Sequence, residues 1–293
     1  ARCQRHRASA VEAPAEVVAL EGRGMGLVAT REIAPGELVM AEAPLLTFRG
    51  DDGSWRASVR QQFDALSVEA QAKLMSFHDA FAPEAGSATL EGVVRTNCFV
   101  TEDGDAGGVV CESLSRFNHS CAPNCEGSWS EATGEKEIYA SRAISAGEEL
   151  CIYYTELRAS RAERQEELAD RYGFSCECTA CRSADGASDA RRLRMRQLDE
   201  DIGVVSARDP RQGIRLALEL MELYDEEGID VGSFRKRACY NLFQLLLMVG
   251  DVYEAEKWAK RAYDYSKRCH GPLHMDTLRL FEYAQNPQSH PAF

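Results

Sequence analysis

The segment Cys176-Glu-Cys-Thr-Ala-Cys181 constrains this chain more than any other stretch of it. A structural zinc ion takes about four ligands in a tetrahedron, and thiolates suit it. The spacing C-x-C-x-x-C offers three sulfurs from one tight turn. A fourth must come from elsewhere, and Cys121 and Cys125 are the candidates. The alternative is three small buried residues with no metal, which this spacing disfavours. The chain has eleven cysteines, so at least one stands outside any all-disulfide scheme, and none lies between Cys3 and Cys98. Clustering of this kind in 293 residues reads as a metal site in a reducing compartment rather than a secreted disulfide framework.

The length suggests about two domains, enough to bury a sizeable core. Hydrophobic residues make up 44% and charged residues 28%, the balance of a soluble globular protein. No run of about 18 apolar residues is present, so no membrane-spanning helix is expected. The net charge of −13 argues against gripping nucleic-acid phosphates and suits either simple solubility or attraction of a lysine-rich segment. The chain starts at Ala1 with no apolar signal segment after it, and targeting is not read from it.

The first residues, 1–16, read as a basic N-terminal arm. Val17, Val18 and Leu20 before Glu21-Gly-Arg-Gly-Met-Gly, with Leu27 and Val28 after it, predict strand, glycine turn, strand. Those glycines open no helix, so this is not a dinucleotide fingerprint. Pro35 and Gly36 supply a turn into another strand. Leu66, Ala70, Leu74 and Phe77 share one helical face, which predicts a helix over Trp55 to Ala82. Asp103 to Gly108 is a polar loop, and short strands return from Val109 to Tyr154. The segment from Arg158 to Tyr172 is charged and reads as helical, and Ser183 to Ser188 reads as a linker. Beyond Asp189 the pattern is wholly helical. Its stripes are Ile214/Leu218/Met221, Tyr240/Phe243/Leu247 and Ala255/Ala259/Ala262/Ser266. Gly250-Asp251 separates two helices of similar length, as in a tetratricopeptide-like hairpin. An acidic group, Asp225, Glu226, Glu227 and Asp230, falls near one hairpin turn, where it could steer a basic substrate or simply be solvated.

Two further constellations are ordinary alone. Asn118-His-Ser-Cys-Ala-Pro-Asn124 packs amide, imidazole, hydroxyl and thiol groups into one turn. Gly147-Glu-Glu-Leu150 is followed by Tyr153 and Tyr154. In this order, with Gly-x-Gly near the start and C-x-C-x-x-C at the end, they resemble the SET-domain protein lysine methyltransferases over roughly Val17 to Arg182. Ser115-Arg-Phe-Asn-His-Ser-Cys, Thr96-Asn-Cys-Phe, Tyr172-Gly-Phe-Ser-Cys-Glu-Cys and the helical tail with His270-Gly-Pro-Leu-His resemble the SET-and-MYND class and its fungal relatives. That class carries a cysteine-rich MYND finger, whereas the interval from Phe48 to Asn97 here has no cysteine, so the finger is expected to be absent.

The resemblance implies an α+β fold of small, mostly antiparallel sheets around a pseudoknot core. It implies a SET domain over 17–157 with a helical insert at about 54–95, a post-SET zinc region over 158–184, and a helical domain over 189–293. It implies S-adenosylmethionine as cofactor, one structural zinc held by Cys121, Cys176, Cys178 and Cys181, and a lysine-bearing protein as substrate. Tyr154 takes the catalytic position and also faces the cofactor. Arg23, Gly24, Met25, Asn97, Asn118, His119, Tyr172 and Phe174 are the other cofactor-site residues, with His78 reaching in from the insert. A monomer in nucleus or cytoplasm is expected, without direct nucleic-acid or membrane binding. Two competitors are a non-catalytic SET scaffold acting through its tail and a zinc hydrolase. The hydrolase would need an open metal position, which an all-thiolate set does not offer.

Overall fold

The computed structural model describes residues 13–49, 53–84, 86–100, 107–183, 185–206 and 208–291. Most of the expected N-terminal arm and residues 103–106 of the polar loop lie outside the described residues.

Three small sheets form the first half. Strands β1 (Ala15–Leu20) and β2 (Gly24–Ala29) are antiparallel, with Leu20 opposite Gly24. Gly22 and Gly24 both have φ of +70°, which side chains disfavour, so the hairpin turn requires glycine. Strand β2 also pairs with β10 (Glu149–Ile152), and β10 runs parallel to β7 (Asn118–His119), with Cys151 opposite Asn118 and Ile152 opposite His119. The two motif segments therefore lie side by side. The second sheet orders β3 (Leu38–Glu42), β9 (Glu135–Ala140) and β8 (Cys125–Ser130); the third orders β4 (Leu46–Phe48), β6 (Gly108–Val110) and β5 (Phe99–Val100).

The insert differs from the single helix expected over Trp55 to Ala82. It comprises α1 (Trp55–Ala65), α2 (Val68–Leu74) and, after a turn-rich stretch, α3 (Leu90–Asn97). Leu66 is extended at ψ 155°, and the Ser67 side chain accepts from the Ala70 N–H, restarting the helix. The serine's capping bond competes with helix continuation at this point. Leu74 and Phe77 are buried as expected, Phe77 from beyond the helix end.

Helix α4 (Arg161–Tyr172) starts with a reciprocal capping box between Ser160 and Glu163 and ends at Gly173, φ +73°. A short α5 (Thr179–Ser183) closes the cysteine turn. Helix α6 (Gly186–Val205), capped by Asp185, takes up Gly186 to Ser188 of the stretch read as a linker. Helices α7 (Pro210–Glu226), α8 (Gly232–Met248), α9 (Val252–His270) and α10 (Met275–Gln285) complete the chain. Ala255, Ala259, Ala262 and Ser266 are all buried, so small side chains let α9 lie close to its neighbours. On α7 the expected stripe is rotated: Ala217, Leu220, Met221 and Tyr224 are buried, while Leu218 faces solvent. No described helix is long and apolar enough to cross a membrane.

The C-terminal helices share a core with α4, the segment after β10 and the cysteine turn. One buried cluster runs from Cys121, Leu157, Leu168 and Cys181 through Leu198 and Leu220 to Phe243 and Ala284. Polar contacts fix the join. The wholly buried Glu126 carboxylate accepts the N–H groups of Gly232 (2.8 Å) and Ser233 at the start of α8. Ser128 and His270 are hydrogen-bonded at 2.9 Å. The acidic group at the end of α7 and in the turn after it is paired with arginines, Asp225 and Asp230 with Arg235 and Glu227 with Arg191 and Arg192, but of the four only Glu227 has a buried side chain. Asp225, Glu226 and Asp230 face solvent.

Candidate active site and metal centre

Pairing of β7 with β10 places Asn118, His119 and Tyr154 on one wall of a cavity of about 980 Å³. All ten residues expected at the cofactor site line it: Arg23, Gly24, Met25, His78, Asn97, Asn118, His119, Tyr154, Tyr172 and Phe174. They arrive from the β1–β2 hairpin, the insert, the β7–β10 pair and the α4–α5 turn. The amide of Asn97 donates to the carbonyls of His78 and Val93, both at 2.7 Å, which ties the insert's turn to the end of α3.

Residues given no role by the sequence reading hold this wall. Glu149 accepts from the Asn118 amide at 3.0 Å and pairs with Arg23 at 2.8 Å. Arg23 in turn donates to the His119 carbonyl at 2.9 Å. Asn124 accepts the Cys151 N–H and donates to the Glu149 carbonyl, both at 2.8 Å, which locks the Asn-His turn to β10. The sequence signal was present, since both lie within the quoted motifs, but a motif does not say which member touches which.

His119 faces inward. Its Nδ1 accepts the backbone N–H of Tyr154 at 3.0 Å, so the proton of the neutral ring is on Nε2, 3.2 Å from Cys121 Sγ. Burial pushes its pKa down to about 4, which keeps the ring neutral. Both ring nitrogens are thus engaged within the protein. Strand pairing turns the ring toward the cysteines while His119 still lines the cavity.

The Tyr154 hydroxyl donates to the Phe117 carbonyl. Its ring lies 4.8 Å from that of Tyr172 and 5.4 Å from that of His119. Burial holds the phenol pKa well above its usual range, so it remains a proton donor at neutral pH. Tyr154 also lines a second cavity of about 560 Å³. Thr96, Asn97, Ser115 and Tyr172 border both cavities with it. The second cavity is lined by Phe99, Phe117, Ile152, Tyr153 and Phe234, together with the charged residues Lys136, Glu156 and Glu167.

The sulfurs of Cys121, Cys176, Cys178 and Cys181 all lie within 4.8 Å of one another. A tetrahedral zinc with Zn–S near 2.3 Å places its sulfurs ~3.8 Å apart, so the donor set fits. Cys121 and Cys181 approach to 3.5 Å, too far for a disulfide. Such a cluster could coordinate a structural zinc with no open position. Cys125, the other candidate, is buried in β8 outside the cluster. The side chain of Gln165 accepts the Cys176 N–H at 2.8 Å and donates to its carbonyl at 2.7 Å, which fixes the turn to α4.

Residues 24–155 match the SET domain family model. The chain is 29% identical to histone-lysine N-methyltransferase set5 of Schizosaccharomyces pombe, over 94% of this chain and 85% of that one. It is 26% identical to N-lysine methyltransferase SMYD2-B of Danio rerio, over 70% of this chain but only 46% of the relative. A segment of 77 residues is 39% identical to histone-lysine N-methyltransferase SMYD3 of Mus musculus, covering 26% of this chain and 18% of that one. The chain is thus related to the SET-domain methyltransferases at low to moderate identity.

Proposed function

We propose that this protein is an S-adenosylmethionine-dependent protein-lysine N-methyltransferase. The observation that carries the reading is the position of Tyr154 on the border of two cavities, one of cofactor size and one lined by aromatic rings. The cofactor supplies an electrophilic sulfonium methyl. Arg23, Met25, Asn118 and Phe174 hold it in the larger cavity, with backbone approach eased at Gly24. The smaller cavity takes the lysine side chain. Lysine is mostly protonated at neutral pH. Removal from water by Phe117, Ile152 and Tyr153 favours the uncharged amine that can attack. The tyrosine rings then hold that amine in line, which lowers the barrier by positioning. The Tyr154 hydroxyl orients the amine and, as an un-ionised phenol, adds no competing charge.

The named activities of the set5 and SMYD relatives support lysine as the acceptor. We place a structural zinc at the four cysteines, holding Tyr172 and Phe174 against the larger cavity. The helical region is read as tetratricopeptide-like, supported by the buried small-residue stripe of α9. A thermal-shift titration with S-adenosylmethionine tests the cofactor half of the proposal. Stabilisation that is lost in Asn118→Ala supports it, and no stabilisation of the unsubstituted protein refutes it.

A further inference from the structure

Arg164 of α4 has no solvent exposure and is, with Arg192, the largest fully buried side chain among the described residues. Its Nε–H points at Cys121 Sγ at 3.2 Å and its Nη2 at Cys181 Sγ at 3.9 Å, while Nη1 donates to the Ala159 carbonyl. Among the described residues no carboxylate pairs with it. The neighbouring buried Arg192 differs, since Glu227 lies 3.1 Å from it. A buried guanidinium without an anionic partner is strongly disfavoured. The negative charge must therefore come from the sulfurs it faces. Four thiolates around one divalent cation leave a formal charge of about −2 in a buried pocket.

We infer that Arg164 is the internal counter-ion of the metal centre, a positioning residue that retains the metal by offsetting the thiolate charge and holding Cys121 and Cys181 in place. This rests on the zinc reading above. The guanidinium fork reaches two ligands from two separate segments, one on the Asn-His-Ser-Cys turn and one on the cysteine turn. A single buried cation thus joins the halves of the metal site. Lysine at this position keeps the charge but loses the fork, and glutamine loses both.

The test compares the unsubstituted protein with Arg164→Lys and Arg164→Gln, loaded with zinc or with cobalt as a spectroscopic substitute. Zinc release to a chromogenic chelator is expected to be slowest in the unsubstituted protein, faster with Lys, and at least about tenfold faster with Gln. The sulfur-to-cobalt charge-transfer band is expected to move in both variants, because the guanidinium Nε–H that faces Cys121 is replaced by a donor of different reach. Equal release rates in all three proteins with an unmoved band overturn the proposal. Equal acceleration in Lys and Gln overturns the counter-ion role. Should Arg164→Gln not fold, the Lys variant decides: faster release and a moved band support the proposal, and no change in either overturns it. An unsubstituted protein that takes up neither metal refutes the zinc reading, and the Arg164 role with it.

Discussion

The backbone N–H of Tyr154 and the sulfur of Cys121 are joined by one imidazole: His119 accepts from the first at 3.0 Å and lies 3.2 Å from the second. The loop that carries the tyrosine is therefore tied to the metal centre by a single side chain. His119→Ala leaves a buried N–H without an acceptor, a loss of about 1–3 kcal/mol. We expect a lower melting temperature and weaker cofactor binding. His119→Asn returns an acceptor near the Nδ1 position and is expected to recover part of both. Calorimetric melting and binding titration check this; an Ala variant with unchanged melting and affinity contradicts the bridge.

Removing the metal is expected to free the turn from Tyr172 to Arg182. Ligation couples zinc to local folding. Hydrogen exchange across that segment should rise on chelation, and cofactor affinity should fall, while the α8–α9 hairpin keeps its protection. Exchange that stays unchanged after complete metal removal contradicts a structural role.

The sequence displays the chemistry better than it displays the packing. The cysteine spacing, the Asn-His turn and Tyr154 could be singled out because rare residue types in fixed order carry them. Arg164 could not, since an arginine in a charged amphipathic segment reads as solvated, and only the fold shows its burial. The break at Leu66 was hidden because Ser67 interrupts an intact apolar stripe through a capping bond. Leu218 reads as core by spacing, yet Ala217 faces inward beside it. The acidic group around the end of α7 gives no sign in sequence that Arg191, Arg192 and Arg235 come beside it from α6 and α8, or that of its side chains Glu227 alone is buried.

Glu126 gives the join between sheet and helices a pH dependence. Burial raises its carboxyl above the usual 4.5, against the opposing hydrogen bonds from Ser233 and Gly232. A raised folded pKa means the folded state holds the proton more tightly. The contribution of this group to stability is then fully present below pH 4.5 and is lost as pH rises through the folded value. Glu126→Gln has no such titration. Its melting temperature relative to the unsubstituted protein should increase from pH 5 to pH 8. A difference that does not vary with pH contradicts this.

Deleting residues 189–293 is expected to do more than remove Phe234 from the second cavity. It strips cover from Leu157 and Leu168, takes Asp199 from Arg158, and leaves the Glu126 carboxylate without its helix terminus. The shortened chain should be insoluble or melt without a cooperative transition. A soluble fragment that binds S-adenosylmethionine with unchanged affinity contradicts the shared core.

The central claim is methyl transfer to lysine at Tyr154. The direct measurement is mass spectrometry of methyl-lysine formed when a cell lysate is incubated with the protein and isotope-labelled S-adenosylmethionine, run beside Tyr154→Phe. We expect labelled methyl-lysine with the unsubstituted protein. With Tyr154→Phe we expect labelling to fall by about tenfold or more while the cofactor still binds, since only the orienting hydroxyl is lost. No labelled lysine from the unsubstituted, cofactor-binding protein, or undiminished labelling by Tyr154→Phe, contradicts the account.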